Sequence, residues 1–210
     1  RTYQEIVGSL LYLSTHTRFD ITYATWRLTK GMSGATKWDL ASAKRVLRYI
    51  KARPNLKITF RRGEFALNAW CDASYCQPEL GQKSVTGYTV MLCSAPVALG
   101  TKTQSVMAGN ATESKLVALY SCVKQVIFIR GLLGELRIQH NSPVPIFCDN
   151  AAACCVAESS RRGSRTKHLA LKLRRITDNV NSHNIKVVLV PGNRQKSNCL
   201  TKILGQVQHQ

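Results

Sequence analysis

Leu67-Asn68-Ala69-Trp70-Cys71-Asp72 reads as an apolar strand that ends on a carboxylate, and Val144-Pro145-Ile146-Phe147-Cys148-Asp149 repeats the pattern later in the chain. Short runs of this kind, bounded by polar residues, are strand signals. If the two strands are neighbours in one sheet, they deliver Asp72 and Asp149 side by side. Paired carboxylates supply the hard anionic oxygen that magnesium prefers.

Outward from this pair the pattern is a mixed α/β one. Further strands are predicted near 84–93 and 96–101, with Glu79-Leu80-Gly81-Gln82 as a turn before them. A long helix is predicted from about Ala111 to Leu136. Val117, Leu119, Val123, Val126 and Ile127 form its apolar stripe, which Leu132, Leu133 and Leu136 continue with Arg130 snorkelling among them. A short helix follows from Asn150 to Glu158, another from about Thr166 to Asn181, and then a strand over 185–190. Antiparallel strands first and crossovers later describe a mixed sheet.

Residues before about 54 read as helices instead. Ile6, Leu10 and Leu13 recur at helical spacing, Ile21 to Met32 forms a second segment, and Trp38 to Ala52 a third. In the third, Ala43, Val46, Leu47 and Ile50 share one face, while Lys44, Arg45, Arg48 and Lys51 occupy the other. Thr36 or Ser33 supplies its N-cap. A short strand is predicted at Leu56 to Phe60, and Arg61-Arg62-Gly63 marks the boundary between a helical segment, 1–63, and an α/β domain, 64–210.

The 210 residues carry 30 Lys+Arg against 11 Asp+Glu, a formal net charge of +19. Such a balance points to a polyanionic partner, most often nucleic acid. No run of 18 apolar residues occurs, so no membrane span is expected. The eight cysteines show no Cys-x-x-Cys and no zinc pattern. Cys71, Cys122, Cys148, Cys154 and Cys155 sit in apolar strand or helix contexts and read as buried free thiols of a reducing intracellular compartment. The sequon Asn110-Ala111-Thr112 reads as a chance match.

Several motifs, taken together and in order, resemble the C-terminal part of the polyprotein of copia-type LTR retrotransposons. Tyr3-Gln4-Glu5-Ile6-Val7-Gly8-Ser9-Leu10-Leu11-Tyr12-Leu13-Ser14, Thr17-Arg18-Phe19-Asp20-Ile21 and Ala43-Lys44-Arg45-Val46-Leu47-Arg48-Tyr49-Ile50-Lys51 are similar to the segment that joins polymerase to nuclease. Lys83-Ser84-Val85-Thr86-Gly87-Tyr88, Cys148-Asp149-Asn150, Arg165-Thr166-Lys167-His168 and Leu200-Thr201-Lys202 are similar to landmarks of the ribonuclease H domain. The resemblance implies a ribonuclease H-like mixed five-stranded sheet flanked by helices and preceded by a small helical segment. It places the polymerase aspartates upstream of this chain.

It also implies four carboxylates around two magnesium ions, one activating water and the other stabilising the leaving oxygen. Asp72 and Asp149 match the first and third. The second position holds Lys115, within Thr112-Glu113-Ser114-Lys115-Leu116, and the fourth holds Asn198, within Ser197-Asn198-Cys199-Leu200-Thr201-Lys202. Glu113 lies ~200° around the helix from Lys115 and is expected to point away. Asp72, Lys115, Asp149 and Asn198 are therefore expected to be a vestigial site without metal, in which Lys115 replaces magnesium by salt-bridging the aspartates. The alternative is an active, magnesium-dependent ribonuclease H cutting RNA in RNA–DNA hybrids.

The stretch 161–175 adds seven basic residues and no acidic one: Arg161, Arg162, Arg165, Lys167, Lys172, Arg174 and Arg175. Together with Lys44, Arg45, Arg48 and Lys51 they are the expected contacts to RNA or an RNA–DNA hybrid. No base-reading motif or aromatic stacking platform is evident in the sequence, so binding is expected to follow shape and charge. The function these features imply is a catalytically inactive, RNA-binding component of a ribonucleoprotein with other protein partners. A ribosome, organellar ribosomes included, is one such particle.

Overall fold

The computed structural model describes residues 2–63, 65–138, 140, 142–159 and 169–203. The chain divides into two compact units, Arg1–Phe60 with Lys202–Gln210, and Arg61–Thr201.

The first unit is helical. Helix α1 (Thr2–His16) leads through a 3-10 turn (Phe19–Ile21) to α2 (Thr22–Thr29) and then α3 (Lys37–Ala52). Tyr3, Val7, Leu10, Ile21, Leu28 and Ala43 form the core. The chain between α1 and α2 is held by Arg18, whose Nε and Nη2 donate to the two carboxylate oxygens of Asp20 at 3.0 and 2.9 Å. Its Nη1 donates to the Arg53 carbonyl at 3.1 Å, and its guanidinium lies 5.8 Å from the Tyr49 ring centroid. Thr36, not Ser33, caps α3, and with Asp39 it completes a capping box. The face predicted apolar is narrower than expected, since Leu47 is 40% exposed.

The expected strand at Leu56 to Phe60 does not form: none of its residues is in a strand. β-branched and aromatic residues favour a strand only where a partner strand accepts their backbone bonds, and this segment has none.

The second unit is built on β1 (Leu67–Gln77), β2 (Lys83–Leu92), β3 (Ala95–Thr103), β4 (Val144–Cys148) and β5 (Ile185–Leu189), in the spatial order β3-β2-β1-β4-β5. β1 pairs antiparallel with β2, and β2 with β3; β1 and β4, and β4 and β5, pair in parallel. With α4 (Ala111–Glu135), α5 (Ala151–Glu158) and α6 (Ala170–Asn181), this is the ribonuclease H-like architecture. The three helices share one core with the Leu67-Ala69-Cys71 face of β1 and the Val144-Ile146-Cys148 face of β4. Period-2 alternation turns Trp70 and Phe147 to the opposite face. There the 3-10 segment Lys196–Leu200 packs, with the Lys196 ammonium 4.5 Å from the Trp70 ring centroid.

α4 is long and apolar enough to cross a bilayer by length and composition, but 56% of its apolar window is buried inside this unit. It is the central core helix. Arg130 on α4 does not snorkel outward. It donates to the carbonyls of His140, Ser142 and Asn184 and ties two loops together. Of the predicted start of α6, residues 166–168 lie outside the described residues. All eight cysteines are free; Cys71, Cys122, Cys148 and Cys154 are buried, whereas Cys155 is exposed because it lies on the outer side of α5.

Candidate functional site

The parallel register aligns Ala69 with Ile146 and Trp70 with Phe147, so Asp72 and Asp149 emerge at the same level. β1 runs on past Asp72 to Gln77, which places that carboxylate inside the strand rather than at its end. Asp72 is 1% exposed. Asp149 follows the last residue of β4.

Helix α4 starts above this pair. Asn110 is its N-cap and accepts a hydrogen bond from the Glu113 amide at 2.9 Å. The cap sets the first turn, and one turn on Lys115 reaches the aspartates. Its Nζ donates to Asp72 Oδ1 at 2.6 Å and to Asp149 Oδ1. Burial opposes the charged form of Lys115, but the charges and hydrogen bonds of Asp72 and Asp149 outweigh it and hold the ammonium above its ordinary pKa. Glu113 turns away: its carboxylate accepts from the Gly109 amide at 2.7 Å, in the loop before the helix.

The rest of the site comes from the segment after β5, Pro191 to Thr201. Asn198 does not face the aspartates through a hydrogen bond. Its amide nitrogen donates to the Gly192 carbonyl at 2.8 Å, and its buried Oδ1 has no partner among the described residues. Asp72 Oδ2 instead accepts a hydrogen bond from the Thr201 hydroxyl. Gly87 on β2 permits this approach. A Cβ there would lie 2.6 Å from Thr201 Cγ2 and 2.9 Å from Leu200 Cβ. Beneath the cluster, Gln195 Nε2 bridges the Cys71 and Phe147 carbonyls at 3.0 and 3.4 Å, where the short β1–β4 ladder leaves them open. The sequence carries no local signal for Thr201 or Gln195, since their partners lie 48 to 129 positions away.

The donor set decides what this site can hold. Two carboxylates and one ammonium carry a net charge of −1, and the ammonium sits between the oxygens that a divalent ion would use. Magnesium needs near-octahedral hard oxygen ligands. Among the described residues no group of three His, Cys, Asp or Glu side chains is placed to hold a metal. The residues present do not fit a magnesium pair.

The expected nucleic-acid contacts divide into three sets. Lys44, Arg45, Arg48 and Lys51 are all exposed on α3. Arg161, Arg162, Arg165 and Lys167 lie outside the described residues. Lys172 is half-buried on α6 while Arg174 and Arg175 are exposed, Arg174 forming a loose surface pair with Asp178 at 3.7 Å. Lys172 belongs to a group the sequence did not reveal. The Lys102 ammonium on β3 is held below its ordinary pKa first by partial burial and then by Lys124 on α4 and Lys172.

No protein-family model matches the chain. Over 209 residues, 99% of its length, it is 34% identical to the retrovirus-related Pol polyprotein from transposon RE1 of Arabidopsis thaliana, and equally to that from transposon RE2 of the same plant. The retrovirus-related Pol polyprotein from transposon TNT 1-94 of Nicotiana tabacum is 26% identical over 202 residues. The chain spans 14% or 15% of the length of these relatives. Among solved structures, a ribonuclease H1 isolated from compost superposes with a TM-score of 0.49 at 10% identity, covering 66% of this chain and 94% of that one. The N-terminal ribonuclease H domain of a Mycobacterium tuberculosis protein gives 0.48 at 10% identity, covering 66% and 91%.

Proposed function

We propose binding without catalysis, from the premise that this chain is homologous over its whole length to a stretch of copia-type transposon Pol polyproteins and carries a ribonuclease H-like sheet. The sheet unit grips the backbone of RNA or an RNA–DNA hybrid, and its former metal position is closed by a lysine. The observation that carries this reading is the Lys115 ammonium, hydrogen-bonded to both Asp72 and Asp149.

The chemistry follows from charge. Hydrolysis by a two-metal site needs cations that clamp both the attacking water and the leaving oxygen. Lys115 neutralises one of the two negative charges that would hold them, and it has no free lone pair with which to activate water. Thr201 occupies the remaining side of Asp72 as a neutral donor. Asn198 offers Asp72 no second carboxylate.

Binding is supported by the net charge of +19 and by exposed lysines and arginines on α3 and α6. Within a larger particle, such a protein serves as an RNA-holding component of a ribonucleoprotein, for example a ribosome. Its partners there are RNA and neighbouring proteins, and it needs no metal cofactor.

The decisive test incubates the full chain with a labelled RNA–DNA hybrid in magnesium or manganese. No cleavage is expected, with affinity falling tenfold or more, roughly, between about 50 and about 200 mM salt. Robust wild-type cleavage overturns the non-catalytic reading. A flat salt profile overturns the electrostatic one. An active ribonuclease H is the positive control for cleavage, and the double variant Lys115→Glu with Asn198→Asp asks whether restoring the carboxylate count restores any. Sequencing the RNA that copurifies with the native protein tests the ribonucleoprotein assignment.

A further inference from the structure

The helical unit exposes the aromatic rings of Tyr12, Trp38 and Phe60, and of these Trp38 has a setting that fits a different part of a nucleic acid. Trp38, the second residue of α3, is 83% exposed. The other two tryptophans are spent inside the fold: Trp26 is 9% exposed and stacks on Tyr23, and Trp70 is 8% exposed and stacks on Phe147. A large apolar ring left in water costs free energy unless something covers it.

The surroundings of Trp38 select what covers it. Trp38, Ala41, Arg45 and Arg48 follow one another at i, i+3, i+7 and i+10, on one flank of the helix. Ala41 and Ser42 are exposed and small, which leaves the ring and the Arg45 guanidinium with no bulky side chain between them. Lys37, Lys44 and Lys51 widen the cationic surface, and all three are exposed. The one carboxylate of the helix, Asp39, is turned onto the cap. It accepts from the Thr36 amide at 2.8 Å and the Thr36 hydroxyl at 2.6 Å. The outward face therefore presents cations and a ring, with no acidic group among them.

This combination is what an unpaired nucleotide needs: a π-face for the base and cations for the phosphates that flank it. An acidic peptide would use the cations and leave the ring uncovered. A blunt duplex hides its base faces within the stack and would also leave Trp38 idle. We infer that α3 is a docking surface for an unpaired stretch of nucleic acid, with a base stacked on Trp38 and its phosphates on Arg45 and Arg48. The inference rests on the nucleic-acid-binding reading above and deepens it. The stacking platform that the sequence alone did not disclose is this one residue.

The test compares binding of the full chain to a labelled single-stranded oligouridylate and to a blunt RNA–DNA hybrid. Trp38→Ala is expected to weaken the oligouridylate by about tenfold and to leave the blunt hybrid unchanged. Trp38→Phe is expected to keep most of the oligouridylate affinity, and an unchanged circular dichroism spectrum shows that both variants fold. Loss on both ligands alike, or on neither, overturns the inference while the binding reading stands. Failure of the wild type to bind either ligand overturns the binding reading itself. Polyglutamate quenching Trp38 fluorescence in preference to oligouridylate reassigns the surface to an acidic protein and overturns the inference.

Discussion

The helical unit and the sheet unit each bury an ion cluster, and the two obey different rules. In the helical unit, Arg18 meets Asp20 two residues away, one charge against one, with the third guanidinium nitrogen donating to the Arg53 carbonyl. That cluster is local, neutral and satisfied, as a structural clamp should be. In the sheet unit, Lys115 meets Asp72 and Asp149 from three distant elements, and one carboxylate is left in excess. The hydroxyl of Thr201 stabilises that excess but does not neutralise it. A clamp has no need of a surplus carboxylate; a site that gathers cations does. The difference teaches that charge balance, more than burial or distance, separates the two clusters.

Removing the cation from the unbalanced cluster should have the largest effect. Lys115→Met leaves two carboxylates facing one another and is expected to cost ~3–5 kcal/mol in urea unfolding. Adding Asp72→Asn should recover part of that loss, giving a non-additive cycle with coupling of about 0.5–3 kcal/mol. A strictly additive cycle would break the comparison. Arg18→Met in the balanced cluster is expected to cost about 3 kcal/mol, since it orphans only one carboxylate and one carbonyl. Thr201→Val keeps the shape and removes the donor to Asp72, with an expected cost of ~1.5–3 kcal/mol. If that variant is neutral, the Thr201 hydroxyl does not stabilise the excess charge.

The smallest effect is in pH dependence, and it sharpens the contrast. The Lys115 pKa is raised in the folded state, so its contribution is fully present below the unfolded lysine value of ~10.4 and is lost as pH climbs through the folded value. Thermal stability of the wild type should therefore fall above about pH 10.4, and Lys115→Met should fall less over the same window. Arg18 is also raised, first by its hydrogen bond to Asp20, from an ordinary value already well above that of lysine. Its clamp should show no loss in that window.

Much of this was legible in the residues. Periodicity located β1, β4 and the long core helix to within a few positions, because apolar residues recur at 2 or 3.6 wherever one face is buried. The three-residue arithmetic of Asp72, Asp149 and Lys115 was legible too, since two strand carboxylates and a helix-start residue are positioned by backbone geometry that the motifs report. Leu56 to Phe60 misled because strand propensity is only realised against a partner. The partner of Asn198 was not legible, because a side chain on a short 3-10 turn takes whichever backbone carbonyl is nearest, here that of Gly192.

The sequence by itself determined the alternation that makes the sheet, the formal net charge of +19, and the placing of a lysine, Lys115, early in the long core helix. These are properties of residue type and spacing, carried by the chain before it folds. Only the tertiary structure decided that Thr201 supports Asp72, that Gln195 closes the gap between β1 and β4, and that Trp38 is left in water. Those depend on which distant segments are brought within a few ångströms, and on how much solvent each side chain keeps, and neither quantity exists until the chain has packed.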